Sequence, residues 1–424
     1  MPRLLQLVHG YPPDENAGTE RYAQRVTAGL RGRGWDVQVI AATRRLGAAM
    51  YTTSSSDGVT RVVNNAPFSG VRRAERDAAV AGVIEREIAA FRPDIVHVQH
   101  AMFLDTSFRC DVPMVWTIHD AWGWCAAGGS LVRDDAACSG PSAACARCAS
   151  AWCHDAPAVD RALDIAGILG RVVPPSRMHR TWQSLPASFR SLATRPGRPV
   201  TQSQVDARHR ALREFAGRCA AVVSPSRWYA AEAERHGLGK PWLLPHGVEI
   251  PTARRVRETN APLIFLGTIA RQKGPDLVRA AHARSGVRVE LRVYGPPGPD
   301  PAYVLGVPNE GPCPDVAETL AGARALVMGS IWPENAPLVI LEARAAGCPV
   351  IAPKIGGIPE ILEDGVDGLL YPPGDVDALS TCMKRLASRE FSPRVPPSFN
   401  AHLDALQAIY APLLPPFTTP NHGR

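Results

Sequence analysis

"PLIFLGTIARQKGPDLVRAAHARSGVRVELRVYG", Pro262–Gly295, reads in one pass as strand, loop, helix and strand. "PLIFLG" is a short apolar run closed by glycine, "TIARQKG" is a basic loop, a helix runs from about Asp276 to Ala283, and "VRVELRVYG" alternates into a second strand. The start of the chain repeats the plan: a strand from Leu4 to His9, the loop "GYPPDENAGTE", a helix from about Arg21 to Arg31, Gly34 as terminator and a strand from Val37 to Ala41. Short apolar strands continue both halves in "DIVHVQH", "PMVWTIHD" and "AAVVSPS", then in "RALVMGS", "CPVIAPK" and "GLLYPPG". Alternating β and α over both halves predicts an α/β protein with two doubly wound parallel sheets. Ligands of such sheets bind beyond the carboxyl ends of the strands, so the residues that matter lie in "HGYPPDENAGTE", "HD", "SPS", "GTIARQKG", "GSIWPEN" and "KIGGIPE". Neither half carries a full G-x-G-x-x-G turn, which argues against a dinucleotide redox enzyme.

At 424 residues the chain is too long for one typical domain and suits two. Its 45% apolar and 21% charged residues are those of a soluble globular protein. The net charge of +7 favours anionic partners, but no aromatics interleave with basic residues as in a nucleic-acid module, and no nucleic-acid partner is expected. The N-terminal "MPRLLQLVHGYPP" reads as a first strand and not a signal peptide, and no apolar run approaches the roughly 20 residues that cross a bilayer. A cytoplasmic protein is expected, peripheral at most to the inner face of the membrane. A linker is read in "EIPTARRVRETNAP", and Pro174 to Gln204, rich in Arg, Ser and Pro, reads as a mobile insertion.

The second half contains "WPENAPLVILEARAAGCPVIA", Trp332–Ala352: a loop, a helix with Pro337 in its first turn and Gly347 at its end, and a strand. The helix is apolar all round except for Glu342, with Glu334 in the loop before it. A buried carboxylate needs a partner. One reading pairs Glu342 with an arginine and leaves Glu334 solvated. The other makes a ligand site: the amides of Leu338 and Val339 face out along the positive helix end, Lys273 arrives from the loop after the first strand, and the two carboxylates accept hydroxyl protons on either side.

"WPENAPLVILEARAAGCPVIAPKIGGIPEILEDGVDGLLYPPGD" resembles the donor-binding segment of retaining glycosyltransferases of family 4 (glycosyl transferases group 1). The resemblance rests on the E-x7-E spacing from Glu334 to Glu342, the attached "EAxAxGxPVIA" pattern, and the "GG-x-PE" turn at Gly356, Gly357, Pro359 and Glu360. "AGTERYAQRVTAGLRGRGWDV", "PDIVHVQH", "TIHD", "VVSPSRWYAAEAERHGL", "LPHGVE", "LGTIARQKG" and "YGPPG" follow the family in order. The resemblance implies the GT-B fold: two Rossmann-like domains facing across a cleft, residues 1–255 binding acceptor, 256–400 binding nucleotide-sugar, and a C-terminal helix at 401–418 crossing back. It implies a nucleoside-diphosphate-sugar donor and a glycan, lipid-linked or small-molecule acceptor. Catalytic roles fall to His119, close to the reacting sugar, to Glu334 on the transferred sugar and to Lys273 on the diphosphate. Donor binding falls to Glu342 on the ribose, to Asn335, Ala336, Pro337 and Leu338 as the backbone after Glu334, and to Gly18 and Thr19 in a flexible loop. The family often has Arg after the glycine of "GR…KG"; here Thr268 follows Gly267, and Arg271 either replaces that charge or faces solvent. No cofactor is required for this chemistry, since a Lys and oriented amides stabilise the leaving phosphate. Competing readings are a nucleotide-sugar epimerase of the same fold and a non-catalytic zinc-stabilised scaffold.

Half of the ten cysteines lie between Cys125 and Cys153. Cys125, Cys138, Cys145 and Cys148 form C-x12-C-x6-C-x2-C, a candidate structural zinc site, with Cys153 and His154 as substitute ligands and reduced thiols or a disulfide as the alternatives. Cys110, Cys219, Cys313, Cys348 and Cys382 are isolated and read as small packed hydrophobes.

Overall fold

The computed structural model describes residues 1–43, 45, 48–64, 71, 73–134, 136–152, 199–251, 260–298, 301–386 and 389–415. The first half runs β1 (Arg3–Val8), α1 (Gly18–Gly32), β2 (Asp36–Thr43), β3 (Thr53–Ser56), β4 (Val59–Val63), α2 (Ala78–Phe91), β5 (Ile95–Val98) and β6 (Met114–Thr117). It continues through β7 (Val132–Arg133), β8 (Ala136–Ala137), α3 (Cys145–Trp152), α4 (Gln202–Arg218), β9 (Ala221–Ser224), α5 (Arg227–Arg235) and β10 (Trp242–Leu243). Eight strands form one sheet in the order β10-β9-β6-β5-β1-β2-β4-β3, with β7 and β8 a separate hairpin. Every pair in the large sheet is parallel except β3 with β4.

The second half runs β11 (Leu263–Leu266), α6 (Pro275–Ser285), β12 (Leu291–Tyr294), α7 (Val316–Ala321), β13 (Ala325–Val327), α8 (Leu338–Ala345), β14 (Val350–Pro353), β15 (Gly368–Tyr371), α9 (Val376–Arg385) and α10 (Phe399–Tyr410). Its five strands are all parallel, in the order β12-β11-β13-β14-β15. These are the two Rossmann-like sheets of a GT-B fold, and the reason is local. Strands such as "LIFL" and "VIAP" are apolar on both faces, so each must be covered twice, which helices on alternating sides accomplish.

Two topological reversals position everything that follows. In the first sheet the chain leaves β1 through β2 and β4 on one side and crosses back to β5 on the other, so the crevice opens between β1 and β5. In the second it leaves β11 for β12 and returns to β13, opening a crevice between β11 and β13. Helix α10 then packs its Phe399, Leu403, Leu406 and Tyr410 with Leu4, Tyr22, Val26 and Leu30 of the first domain. Gly29 of α1 permits this contact: a Cβ there would stand 2.5 Å from the Leu403 side chain.

Several expectations shift. Helix α1 begins at Gly18, so Gly18 and Thr19 are its first turn and not part of the loop, and their amides join the unpaired donors of that helix end. Pro337 is the extended cap before α8 (φ −61, ψ 118), not a helical residue. The far end of the expected insertion is ordered structure: Val200 is buried, and Thr201 and Gln204 form a capping box that starts α4. The rest of that insertion, most of the expected linker, Cys153, His154 and the chain after residue 415 lie outside the described residues. No described helix is long and apolar enough to cross a membrane.

Candidate active site

Lys273 and Glu334 meet at the crevice of the second sheet. The Lys273 ammonium lies 2.8 and 3.0 Å from the two Glu334 oxygens, and Ser330 Oγ donates to the same carboxylate at 2.7 Å. The Trp332 ring lies 4.6 Å from the ammonium. Close backbone packing sets this geometry. Gly274, at φ +61, and Gly329 are so near each other that a Cβ on either would come within 2.1 Å of the other's carbonyl oxygen. That contact locks the Lys273 loop to the end of β13, from which Ser330 and Glu334 follow.

The "GG-x-PE" turn holds the other side. Gly357 donates its amide to the Glu334 carbonyl at 2.8 Å. A Cβ on Gly356 (φ +57) would fall 2.2 Å from that oxygen, and one on Gly357 would fall 2.1 Å from the Asn335 carbonyl. Glu360 reaches the first domain, accepting from the Arg227 and Trp228 amides at 2.8 Å each, at the start of α5. The turn therefore both shapes the Glu334 backbone and ties the domains together.

Glu342 is half-buried and is not left alone. Arg25 of α1 donates to it at 2.8 Å from across the cleft. Asn335 also bridges the domains: its amide nitrogen donates to the carbonyls of Ile118 (2.9 Å) and His119 (3.3 Å), while Ser226 Oγ donates to its oxygen at 2.6 Å. Tyr229 Oη donates to the Pro333 carbonyl at 2.6 Å. These contacts place the two domains against each other around Glu334.

The remaining expected residues divide. Pro337 has no amide hydrogen and cannot donate to a phosphate; Ala336 is buried, and Leu338 packs half-buried against both domains. The Arg271 guanidinium sits 5.0 Å from the Tyr303 ring centre, stacked on it. His119, just past β6, donates from Nε2 to Gln99 Oε1 at 3.0 Å. Burial, reinforced by His246, His100, His97 and His9, pushes its pKa well below the ordinary imidazole range. It is therefore a neutral ring that acts by hydrogen bonding.

Cys125, Cys138, Cys145 and Cys148 line one small cavity with Trp124 and Leu131. All four are free thiols, and burial pushes Cys125 and Cys148 up. Cys138 donates to the Gly140 carbonyl at 3.5 Å, and Cys145 accepts from the Ser142 amide at 3.2 Å. Among the described residues no three His, Cys, Asp or Glu side chains are arranged to hold a metal ion.

The first sheet's crevice holds a cluster drawn from the strand-end stretches "HGYPPDENAGTE" and "HD" and from His100, whose members other than His119 carried no individual role in the sequence reading. His9, just past β1, lies 2.9 Å from Glu20 of α1, and His100, just past β5, lies 3.3 Å from both oxygens of Asp120. The His9 and His100 rings are 4.4 Å apart. Burial alone would lower the His9 pKa, but the Glu20 carboxylate overrides it and raises the value above the ordinary one. Burial likewise opposes ionisation of Glu20 and Asp120, and the histidines reverse it, so both carboxyls fall below their usual range. A histidine closing the first strand of such a sheet was the signal available in "LLQLVHG".

Two family models match the chain, one in each domain: Glycosyltransferase Family 4 over residues 16–137 and Glycosyl transferases group 1 over residues 261–389. The D-inositol 3-phosphate glycosyltransferase of Mycobacterium avium is 34% identical over 190 residues, covering 38% of this chain and 43% of that protein. The alpha-maltose-1-phosphate synthase of Mycolicibacterium smegmatis is 33% identical over 176 residues, 37% of this chain and 42% of that one. The chain thus spans about two fifths of the length of these curated relatives. Among solved structures, Anabaena HepE in complex with UDP and glucose superimposes with a TM-score of 0.56 at 15% identity, over 97% of this chain and 100% of that one, a likeness of fold. With a group 1 match on the domain of Lys273 and Glu334, a family 4 match on the domain of His119, and the GT-B arrangement of both, the chain belongs to the group 1, family 4 glycosyltransferases.

Proposed function

We propose that the protein is a retaining glycosyltransferase that moves a sugar from a nucleoside-diphosphate-sugar to a hydroxyl of a sugar, polyol or glycan acceptor, working in the cytoplasm. The observation that carries the reading is the convergence of Lys273, Ser330 and Glu334 at one crevice, with Glu342 on the adjoining helix and α1 facing both. In this reading Glu342 holds the ribose diol. Lys273 moves from Glu334 to the departing diphosphate, joined by the amides of Leu338 and Val339 and, from the opposite domain, of Gly18 and Thr19. Glu334, so released, accepts from hydroxyls of the transferred sugar. The neutral His119 ring fixes that sugar beside the acceptor domain. Negative charge grows on the leaving phosphate, which a lysine and fixed amides stabilise without a metal.

The bound UDP and glucose named for the HepE structure support a uridine diphosphate sugar as donor. The names of the curated relatives support a small phosphorylated polyol or sugar as acceptor, and the net charge of +7 suits it. The test is to incubate the protein with UDP-, GDP-, ADP- and TDP-glucose, each with and without myo-inositol, inositol 3-phosphate and glucose 1-phosphate, and follow the anomeric proton signals. The reading requires nucleotide release that depends on an added acceptor and an α-linked product. A β-linked product excludes retention. Sugar isomerisation with no acceptor points to an epimerase, and no reaction in any mixture removes the transferase assignment.

A further inference from the structure

Trp332 stands beside the Lys273–Glu334 pair, and the donor chemistry described so far gives it no part. The Lys273 ammonium sits over its ring, 4.6 Å from the centroid, inside the range of about 6 Å where the face of an indole attracts a cation. The indole is not held there by its polar edge. Its Nε1 is buried and has no hydrogen-bond partner among the described residues. An unmet buried donor costs stability, and a phenylalanine or leucine in the same place would not incur that cost. What the side chain offers at this point is therefore its face, turned to the lysine.

The backbones that carry the two residues are clamped together. Ile331 donates its amide to the Gln272 carbonyl at 3.0 Å, which joins the residues next to Trp332 and Lys273. Gly274 and Gly329 touch backbone to backbone on the same seam. Beyond Trp332, the Pro333 carbonyl accepts from Tyr229 Oη at 2.6 Å, and the proline ring restricts the Trp332 backbone as well. The indole thus hangs from a fixed frame, while the lysine head moves on a flexible four-carbon stem. In the transferase reading that head exchanges Glu334 for the departing diphosphate. Its hydrogen bonds to Glu334 break as it turns, because they depend on direction. Attraction to the ring face needs only that the ammonium stay over the ring, so it persists through the exchange. It also strengthens when a bound donor displaces water from the Lys273 side chain, which is 24% exposed here.

We infer that Trp332 is a positioning residue for the transfer: its ring carries the Lys273 ammonium from Glu334 to the diphosphate and holds it there as charge builds on the leaving phosphate. The inference rests on the transferase reading and adds a residue to it. The test uses the whole protein, with UDP, GDP, ADP and TDP as calorimetric probes and the glucose conjugate of whichever binds as the donor. Trp332→Leu and Trp332→Met remove the ring, Trp332→Phe keeps a face and removes only the N–H, and Trp332→Leu is repeated in a Lys273→Ala background. The ring-less variants are expected to bind the diphosphate about tenfold more weakly and to lose at least as much in kcat/KM, while Trp332→Phe stays within about threefold of the wild type on both. With Lys273→Ala already present, Trp332→Leu should weaken nucleotide binding no further, a result that a merely structural role would not give. Wild-type binding and turnover in a folded ring-less variant overturn the inference. So does a folded Trp332→Phe that binds as poorly as the ring-less variants, since the N–H would then be the working group, and so does an additive loss in the Lys273→Ala background. A wild type that binds none of the nucleotides strikes the donor reading itself, and the inference falls with it.

Discussion

Lowering the pH should unfold this protein through its buried histidines. Burial pushes His97 and His246 down to about 3, with His402 reinforcing both. His97 is locked as a neutral ring between Tyr410 Oη (2.5 Å) and Thr117 Oγ1 (2.8 Å). In the unfolded chain each takes up a proton near pH 6.5, so below that pH the unfolded state binds more protons and stability falls as pH falls. Between pH of about 7.5 and about 5 each contributes roughly 2 kcal/mol of loss, together on the order of 4 kcal/mol. His119, His100 and His402, also shifted down, act in the same direction. His9, raised by Glu20, contributes stability that is complete below about pH 6.5 and so adds no opposing slope there; the Glu20 contribution fades only nearer pH 4. Against a total of about 5–15 kcal/mol this loss is large. Urea denaturation at a series of pH values from about 7.5 to about 5 reads it directly, and His97→Gln should flatten the slope by about 1.4 kcal/mol per pH unit. Equal stability within about 1 kcal/mol at the two ends would refute the neutral, buried histidine belt.

Other consequences follow from single contacts. Arg208 is buried against Glu75 at 2.6 Å, so Arg208→Ala, by stranding a buried carboxylate, should cost about 3–5 kcal/mol in denaturant melts; Arg208→Ala as stable as wild type would disprove the pairing. Gly356→Ala places a Cβ 2.2 Å from the Glu334 carbonyl at a left-handed φ, so it should lose about 1–3 kcal/mol of stability and lower turnover beyond that loss. Normal turnover in a stable Gly356→Ala would show that the turn does not position Glu334. Gly29→Ala drives a methyl into Leu403 and should loosen α10, visible as faster amide exchange across Phe399–Tyr410. Unchanged exchange there would contradict the packing account.

The double sheet was legible because its strands are apolar on both faces and end at Gly, Pro or Ser, as "PLIFLG" and "GLLYPPG" do. Strand β3 was not, since "TSSS" is polar and exposed and pairs with β4 at the sheet edge through its backbone and a Ser55–Thr60 hydroxyl contact, with no apolar face to mark it. The placement of Glu334 and Lys273 followed from their position after the strands. Their ion pair did not, because no local pattern records which side chains face one another across 61 residues. The same limit hid Arg25, an ordinary polar residue of an amphipathic helix until the domains face each other. His9 and Glu20 open and close the stretch "HGYPPDENAGTE" that the strand-end rule marks, but their pairing across it is not written in any local pattern and shows only in the folded chain. The first turn of α1 was misread because "ENAGTE" looks like loop by composition, and Gly is a poor helix former that is nevertheless tolerated at a helix start.

The central claim is that Glu342 and its helix form a nucleotide site. Thermal denaturation of the wild type and of Glu342→Ala with UDP, GDP, ADP and TDP in turn tests it most directly. Ligand at about a hundred times its dissociation constant should stabilise the wild type by roughly 2.7 kcal/mol. The account predicts that one nucleotide, UDP, does so and that Glu342→Ala loses most of the gain while remaining folded. A wild type stabilised by none of the four, or a folded Glu342→Ala stabilised as fully as the wild type, would contradict it.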